Sequence, residues 1–305
     1  GINPGGNDKN VAYGPVASHV YETAGSYTVT LTCFDSNGTI ATTTQSITVT
    51  DPDTVFSANT LCVETSATGT GGPVGATYLT SSDFDAAINT TAGSGATYKR
   101  ILFKGGQTFS ASTAALITVT GAGYIGAYGS GKASITRTAG SAQLSFGGQN
   151  FPNSSSDLKD WRVVDLSFDG GGASECISFE GGFDQVTLLR VDGANGGDGT
   201  IMLNQGLLDF YNPGGHAPHT QWDQFCMADC SIGTPSTWSL FFTGKRYALL
   251  GCQFDNNGNG SHVVRQAGAG IGGVISNCTI KRNGTSLAAG NHCLKMHAAT
   301  GAVDS

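Results

Sequence analysis

The feature that most constrains this chain is a pattern that returns every twenty-odd residues through its C-terminal part. The segments RVVDLSFDG (162–170), VTLLRVDG (186–193), CMADCSIG (226–233), ALLGCQFDN (248–256) and VISNCTIKR (274–282) align on one column of Leu166, Leu189, Cys230, Cys252 and Cys278. Two residues on, a second column holds Phe168, Val191, Ile232, Phe254 and Ile280. The steps are 23, 41, 22 and 26 residues, so one turn of the pattern carries an insertion, assigned to LLDFYNPGGHAPHT (207–220). A further strand in each unit aligns as CISFEG, IMLNQG, SLFFTG, VVRQAG and CLKMHA, with Ile177, Met202, Leu240, Val264 and Leu294 facing inward. A unit this short cannot bury its apolar face alone, so the units must stack as a solenoid of parallel strands. The cysteine column is then a ladder in the core.

Composition agrees with short strands and tight turns. Charged residues are 12% of the chain, against about a quarter in ordinary domains, and 46 of 305 residues are glycine. A net charge of −7 leaves no general basic field for nucleic acid. No stretch approaches the roughly 20 apolar residues that span a bilayer, and GINPGGNDKN has none of the parts of a signal peptide. Eight cysteines fit neither a zinc pattern nor a dense disulfide framework; Cys226 and Cys230 form a CMADC pair with no second pair at metal-ligand spacing.

The N-terminal region has a different grammar. Tyr27, Val29, Leu31 and Cys33 alternate with Thr28, Thr30 and Thr32, which predicts a strand with one buried and one wet face. The turn DSNG (35–38) and a second Thr-rich strand over 39–49 complete a hairpin. His19-Val20-Tyr21, Ala24-Gly25-Ser26-Tyr27-Thr28-Val29 and Ile47-Thr48-Val49-Thr50-Asp51 resemble the C-terminal half of a PKD domain, an immunoglobulin-like module. The earlier strands of that family are missing, so the chain is expected to begin inside a domain. Asp51-Pro52-Asp53 reads as a linker, and SSDFDAAINT (81–90) as a short amphipathic helix with Ser82 or Asp83 as N-cap and Phe84, Ala87 and Ile88 on one face.

The repeat, together with FKGGQTF and GAYGSGKASI as opening coils, resembles the right-handed parallel β-helix of the pectate-lyase-like group over roughly residues 56–305. The expected fold is therefore all-β: a partial PKD-like β-sandwich over 1–51, a linker and N-terminal cap over 52–100, and a right-handed parallel β-helix solenoid over 101–305. No cap follows the last coil strand, which implies further coils or self-assembly with another chain. The combination implies a secreted or cell-surface protein.

HVVRQAG (262–268) returns as HCLKMHA (292–298). With Val264 and Leu294 inward, strand alternation turns Arg265 and Lys295 outward, stacked about 4.8 Å apart on neighbouring coils. Phe241 precedes them in that column and Leu203 precedes Phe241; two residues on, the column reads Gln205, Thr243, Ala267 and His297. Adjacent cations repel unless an anion lies between them. An acidic sugar suits that place: arginine grips carboxylates bidentately, and Phe241 offers a ring for stacking. Substrate binding is thus assigned to Phe241, Arg265 and Lys295. If the stripe cleaves by β-elimination, Arg265 neutralises the uronate and Lys295 or His297 takes the C5 proton. His262 and His292 fall inward with Glu175, Thr200 and Trp238, as corner residues bonded to turn backbone.

Other patterns argue less. Paired carboxylates for hydrolysis are absent, as are the motifs of the classical pectate lyases and polygalacturonases. DNNGNGSHVVRQ (255–266) nearly fits a calcium loop through Asp255, Asn257, Asn259 and Gly260, but Gln266 stands where the bidentate glutamate belongs, and 262–266 is assigned to a strand. Calcium is the one cofactor hinted at. His216, His219 and Asp223 in and after the insertion offer a loose metal triad. The sequence thus leads to recognition, with cleavage as its extension, of an acidic polysaccharide by an extracellular β-helix. The rival reading is a non-enzymatic fibre subunit or surface stalk.

Overall fold

The computed structural model describes residues 10–12, 16–38, 40–91, 97–139, 142–147, 158–172, 175–179, 183–197, 199–203, 223–235, 237–242, 246–256, 262–266, 272–282 and 292–296. From residue 100 onward the described strands wind through three long parallel sheets, visiting them in the same order in each coil, while the two strands before them, Thr60–Glu64 and Thr77–Thr80, extend the first sheet alone. Sheet 1 has nine strands, running from Thr77–Thr80 and Thr60–Glu64 at one edge to Arg246–Leu250 and Gly272–Ser276 at the other. Sheet 2 has seven, from Thr108–Ala111 to Thr279–Arg282, and sheet 3 has seven, from Ala115–Ile117 to Leu294–Met296. This is the expected parallel β-helix, with its opening coils at Arg100–Lys104 and Gly123–Tyr128.

The core is a set of ladders, one rung per coil. On sheet 3, Ile117, Phe146 and Phe179 stack in register, the two phenylalanine rings 4.8 Å apart and nearly parallel. On sheet 1, Trp161, Val163, Val186, Leu188, Phe225, Met227 and Leu249 are all buried. The segment 84–91 plugs the first end of the core. Phe84, Ala87 and Ile88 are buried, and the Phe84 ring lies 4.7 Å from that of Phe103. The predicted amphipathic face is therefore present, but the helix is only Phe84–Ala86, continued by a wider turn. No side chain caps it; the Ser81 hydroxyl accepts from the Asp83 N–H instead. Asp85, two residues on, anchors the next loop by accepting from the Ser112 and Thr113 N–H groups.

Two predicted columns slip at the coil spanning 183–203. Phe168 pairs with Gly193 and Gly193 with Ile232, so Gly193, not Val191, occupies the second core column. A Cβ at Gly193 would lie 2.7 Å from the Thr200 methyl and 3.3 Å from Ile232 Cδ1; those neighbours already fill the space. Val191 in turn takes the rung expected of Leu189. In sheet 3, Ile201 pairs with both Ile177 and Leu240, displacing Met202 to the next column.

The corner from sheet 1 to sheet 2 is a ladder of single left-handed residues: Asp165, Arg190, Asp229, Gly251 and Asn277, with φ between 50° and 62°. Aspartate, asparagine and glycine tolerate this region; Arg190 does not readily. It is held there by two hydrogen bonds to Asp165, at 2.6 and 2.8 Å, and by an ion pair with Glu22. Glu22 belongs to the N-terminal segment, whose Val20 packs against Val164, Leu189 and Ala228 on the outside of sheet 1.

Gly25–Phe34 and Ile40–Val49 form the expected antiparallel hairpin, with Tyr27 opposite Ile47 and Phe34 opposite Ile40. Its turn is as predicted: the Gly38 N–H donates to the Asp35 carbonyl and the Asn37 N–H to the Asp35 carboxylate. The expected buried face is not seen. Leu31, Phe34 and Ile40 are each more than half exposed, because no second sheet lies against the hairpin among the described residues. The predicted linker is ordered as well: Pro52–Phe56 is a short helix capped by Asp51, and Asp53 pairs with Arg100.

A buried carboxylate fixes the loop after the first strand. Glu64 accepts from Thr68 N–H and Oγ1, both at 2.5 Å, from Gly69 N–H at 2.7 Å, and from Lys104 Nζ at 3.2 Å. The Gly69 N–H and the Thr68 hydroxyl do most to hold its carboxyl down at about 2. The ordinary glutamate value is about 4.3. Depressed in the folded state, this group contributes stability that is complete above about pH 4.3 and is lost as pH falls through 2. Thermal melts from pH 5 to pH 2 are expected to fall more steeply for the wild type than for Glu64→Gln; parallel curves would contradict this role.

Candidate functional site

The outward column of sheet 3 reads, by register, Leu116, Ser145, Ser178, Met202, Phe241, Arg265 and Lys295. Arg265 and Lys295 are thus neighbours on adjacent rungs, as their spacing in the sequence implied. Met202, not Leu203, precedes Phe241, a consequence of the slip described above. His297, Gln205, Thr243 and Ala267 lie outside the described residues, as do His216 and His219.

The column does not form an open stripe. Ser145, Ser178 and Phe241 are buried, whereas Leu116 at one end and Arg265 and Lys295 at the other are partly exposed. Phe241, expected as a platform for a sugar ring, is 0% exposed. Its ring packs 5.3 Å from that of Trp238 and is covered by the Arg265 guanidinium, whose carbon lies 5.3 Å from the Phe241 centroid and 5.8 Å from that of Trp238. The aromatic pair therefore supports the cation from beneath, and Phe241 has no face left for a ligand. Trp238, assigned from the sequence only to an inward corner position, is the residue whose part in the site was missed. Its signal was WSLFF, a run whose apolar residues on both parities mark a strand covered on both faces.

Charge pairing sets this place apart. On the solenoid Arg100, Lys104, Lys132, Lys159, Arg162, Arg190, Arg246 and Lys281 each face a carboxylate. Lys99 and Arg137 donate to backbone carbonyls instead. Among the described residues, Arg265 and Lys295 face no carboxylate, although each stands beside the other. Two buried donors here also lack acceptors, Arg265 Nε and Trp238 Nε1. An unmet buried donor costs about 1–3 kcal/mol.

The histidines of the two repeated segments lie at the strand start, in the column of Trp238. The His262 and His292 rings stack at 5.5 Å with an angle of 11°, and the His292 backbone N–H donates to His262 Nδ1 at 3.1 Å. His262 is buried and His292 exposed. That bond gives His262 the expected corner role, whereas His292, expected inward, is exposed. The slip places Gly199, not Thr200, in their column.

The remaining candidates separate. Cys226 lies on the outer side of sheet 1 and Cys230 in the core, so CMADC does not converge on one point. Asp223 is held bidentately by Arg246, and Asp255 faces Lys281 at 3.8 Å. The strand Val264–Gln266 occupies the end of the calcium-like segment. No group of three or more His, Cys, Asp or Glu suited to a metal occurs among the described residues. Two clefts lie between the N-terminal segment and sheet 1. One, of about 280 Å³, is lined by His19, Val20, Glu22, Asp229 and Asn277; the other, of about 420 Å³, by Phe225, Arg246 and Tyr247. Glu22 and Arg246 are already paired in them, so neither cleft presents the unpaired cations found at Arg265 and Lys295.

The fold defines an all-β protein, a hairpin module joined to a parallel β-solenoid. Residues 6–50 match the PKD domain family, which is typical of extracellular proteins, and the solenoid is consistent with a surface role. No curated protein and no solved structure matches the chain. No helix among the described residues is long and apolar enough to cross a membrane.

Proposed function

We propose that this protein recognises an acidic polysaccharide at Arg265 and Lys295, at the cell surface or outside the cell. The observation that supports this reading is the pair of in-register cations left without carboxylates on a solenoid where most other bases have one. A uronate between them relieves their repulsion and supplies the acceptor that Arg265 lacks. The aromatic pair beneath Arg265 holds the guanidinium in place before the ligand arrives.

The same reading extends to β-elimination. Arg265 neutralises the carboxylate while Lys295, or His297, accepts the C5 proton. The freed electron pair forms the C4–C5 double bond, the C4–O bond breaks, and the departing oxygen takes up a proton. A non-enzymatic structural or adhesive role is the second reading, favoured by the burial of Phe241, which removes the expected sugar platform.

The test is to incubate the protein with uronate-containing and neutral polysaccharides, following both retention and the absorbance of newly formed unsaturated uronates. Retention on uronate polymers alone establishes binding, and added absorbance establishes a lyase. Folded protein that gives neither signal would leave the structural reading.

A further inference from the structure

A staircase of three thiols runs through the core where each coil enters sheet 2. Ser231 pairs with Gln253 and Gln253 with Thr279, so the preceding residues, Cys230, Cys252 and Cys278, share one column in three successive coils. Two backbone bonds of 2.8 Å fix that register, from Gln253 N–H to the Cys230 carbonyl and from Thr279 N–H to the Cys252 carbonyl. In-register parallel neighbours stand about 4.8 Å apart, within the roughly 4.4–6.8 Å Cα range that a disulfide spans. Each thiol donates to the carbonyl two residues back, Cys230 to Ala228 at 3.3 Å, Cys252 to Leu250 and Cys278 to Ser276 at 3.4 Å, so the three sulfurs are held alike. Packing alone does not call for sulfur here, since Leu166 and Val191 fill the same column in the coils before.

We propose that Cys252 and Cys278 close a disulfide that staples two coils together, leaving Cys230 as a thiol. The pair is chosen by position, Cys278 being on the last described rung of this column. Cys230 and Cys252 are 2% and 1% exposed, whereas Cys278 is partly exposed and open to a small oxidant. The oxidant is a low-molecular-weight disulfide, of the kind found in compartments where extracellular proteins fold. The Cys278 thiolate attacks one of its sulfurs, the small disulfide bond breaks, and one small thiolate leaves. The Cys252 thiolate then attacks the Cys278 sulfur of the mixed disulfide and expels the second. Two protein thiols are oxidised, one small disulfide is reduced to two thiols, and the two protein protons pass to them.

The neighbouring Cys230 thiol and burial push the Cys252 thiol up to about 12, and the Cys278 thiol is raised in the same way by Cys252 and burial. In the folded protein the reacting thiolates are therefore scarce at neutral pH, and closure accelerates about tenfold per pH unit between pH 7 and 9.

The experiment treats reduced, folded protein with oxidised glutathione, quenches in acid, alkylates after unfolding, and maps peptides without reduction. A peptide pair joined through Cys252 and Cys278 is expected, with a melting temperature several degrees above the reduced form. The link should vanish in Cys252→Val and Cys278→Val and persist in Cys230→Val; valine already occupies this column at Val191, so the fold is retained. A Cys230–Cys252 link, a lasting glutathione adduct on Cys278, or full alkylation of all three thiols would each overturn the proposal.

Discussion

Replacing Trp161 by alanine is expected to cost about 3–5 kcal/mol of folding free energy, the largest loss available from one side chain in this core. Trp161 is fully buried and its indole N–H donates to the Val119 carbonyl at 2.9 Å. Its ring lies against Gly123 of the coil before; a Cβ there would stand 2.6 Å from the indole. Glycine and tryptophan are thus a matched pair, and truncation leaves a cavity that rigid neighbouring rungs cannot close. The solenoid holds each coil mainly through the next one, so the defect also uncouples the opening coils from the rest. Urea denaturation followed by circular dichroism measures the loss. Trp161→Phe keeps most of the apolar volume but orphans the Val119 carbonyl, for a smaller cost of about 1–3 kcal/mol. A shift below about 1 kcal/mol for Trp161→Ala, far under what such truncations cost, would contradict this account of the core.

The second large effect concerns binding. A hydrogen bond to a charged partner is worth about 1.5–3 kcal/mol, so Arg265→Ala or Lys295→Ala is expected to weaken retention on a uronate polymer about tenfold or more. The double variant should lose about a hundredfold or more, and binding by the wild type should fall as salt rises. Stability should respond differently. Lys295→Ala removes a repulsive neighbour and is expected to leave the melting temperature unchanged or higher. Arg265→Ala gives up its packing over Trp238 and Phe241, worth about 0.5–2 kcal/mol. Lost binding with preserved melting identifies a recognition site. Preserved binding in the double variant would reduce both residues to scaffold.

The repeat made the solenoid legible because uniform coils keep their columns in the sequence. Leu240, Val264 and Leu294 fall on one ladder in the structure, as do Cys230, Cys252 and Cys278, and in both cases the intervening corners keep the strands in phase. The reading slipped where local rules gave way to neighbours. Gly193 holds a core position without a side chain, since Thr200 and Ile232 fill its space, so a search for apolar residues stepped two places back. Ile201, Met202 and Leu203 are all apolar, and such a run carries no parity by which to choose. The site was legible to the same extent. The adjacency of Arg265 and Lys295 followed from spacing, whereas the burial of Phe241 and the support from Trp238 depend on what covers the outer face of sheet 3, which strand alternation alone does not encode.

The most direct measurement compares one polysaccharide in two forms, the native uronate polymer and the same polymer with its carboxylates reduced to alcohols, by retention of the wild-type protein at low salt. Retention on the native form that disappears after carboxyl reduction is the predicted result, because Arg265 and Lys295 recognise the charge and Phe241 offers no face to the ring. Equal retention on both forms would show that the sugar surface is what is recognised, and would contradict a site built on these two cations.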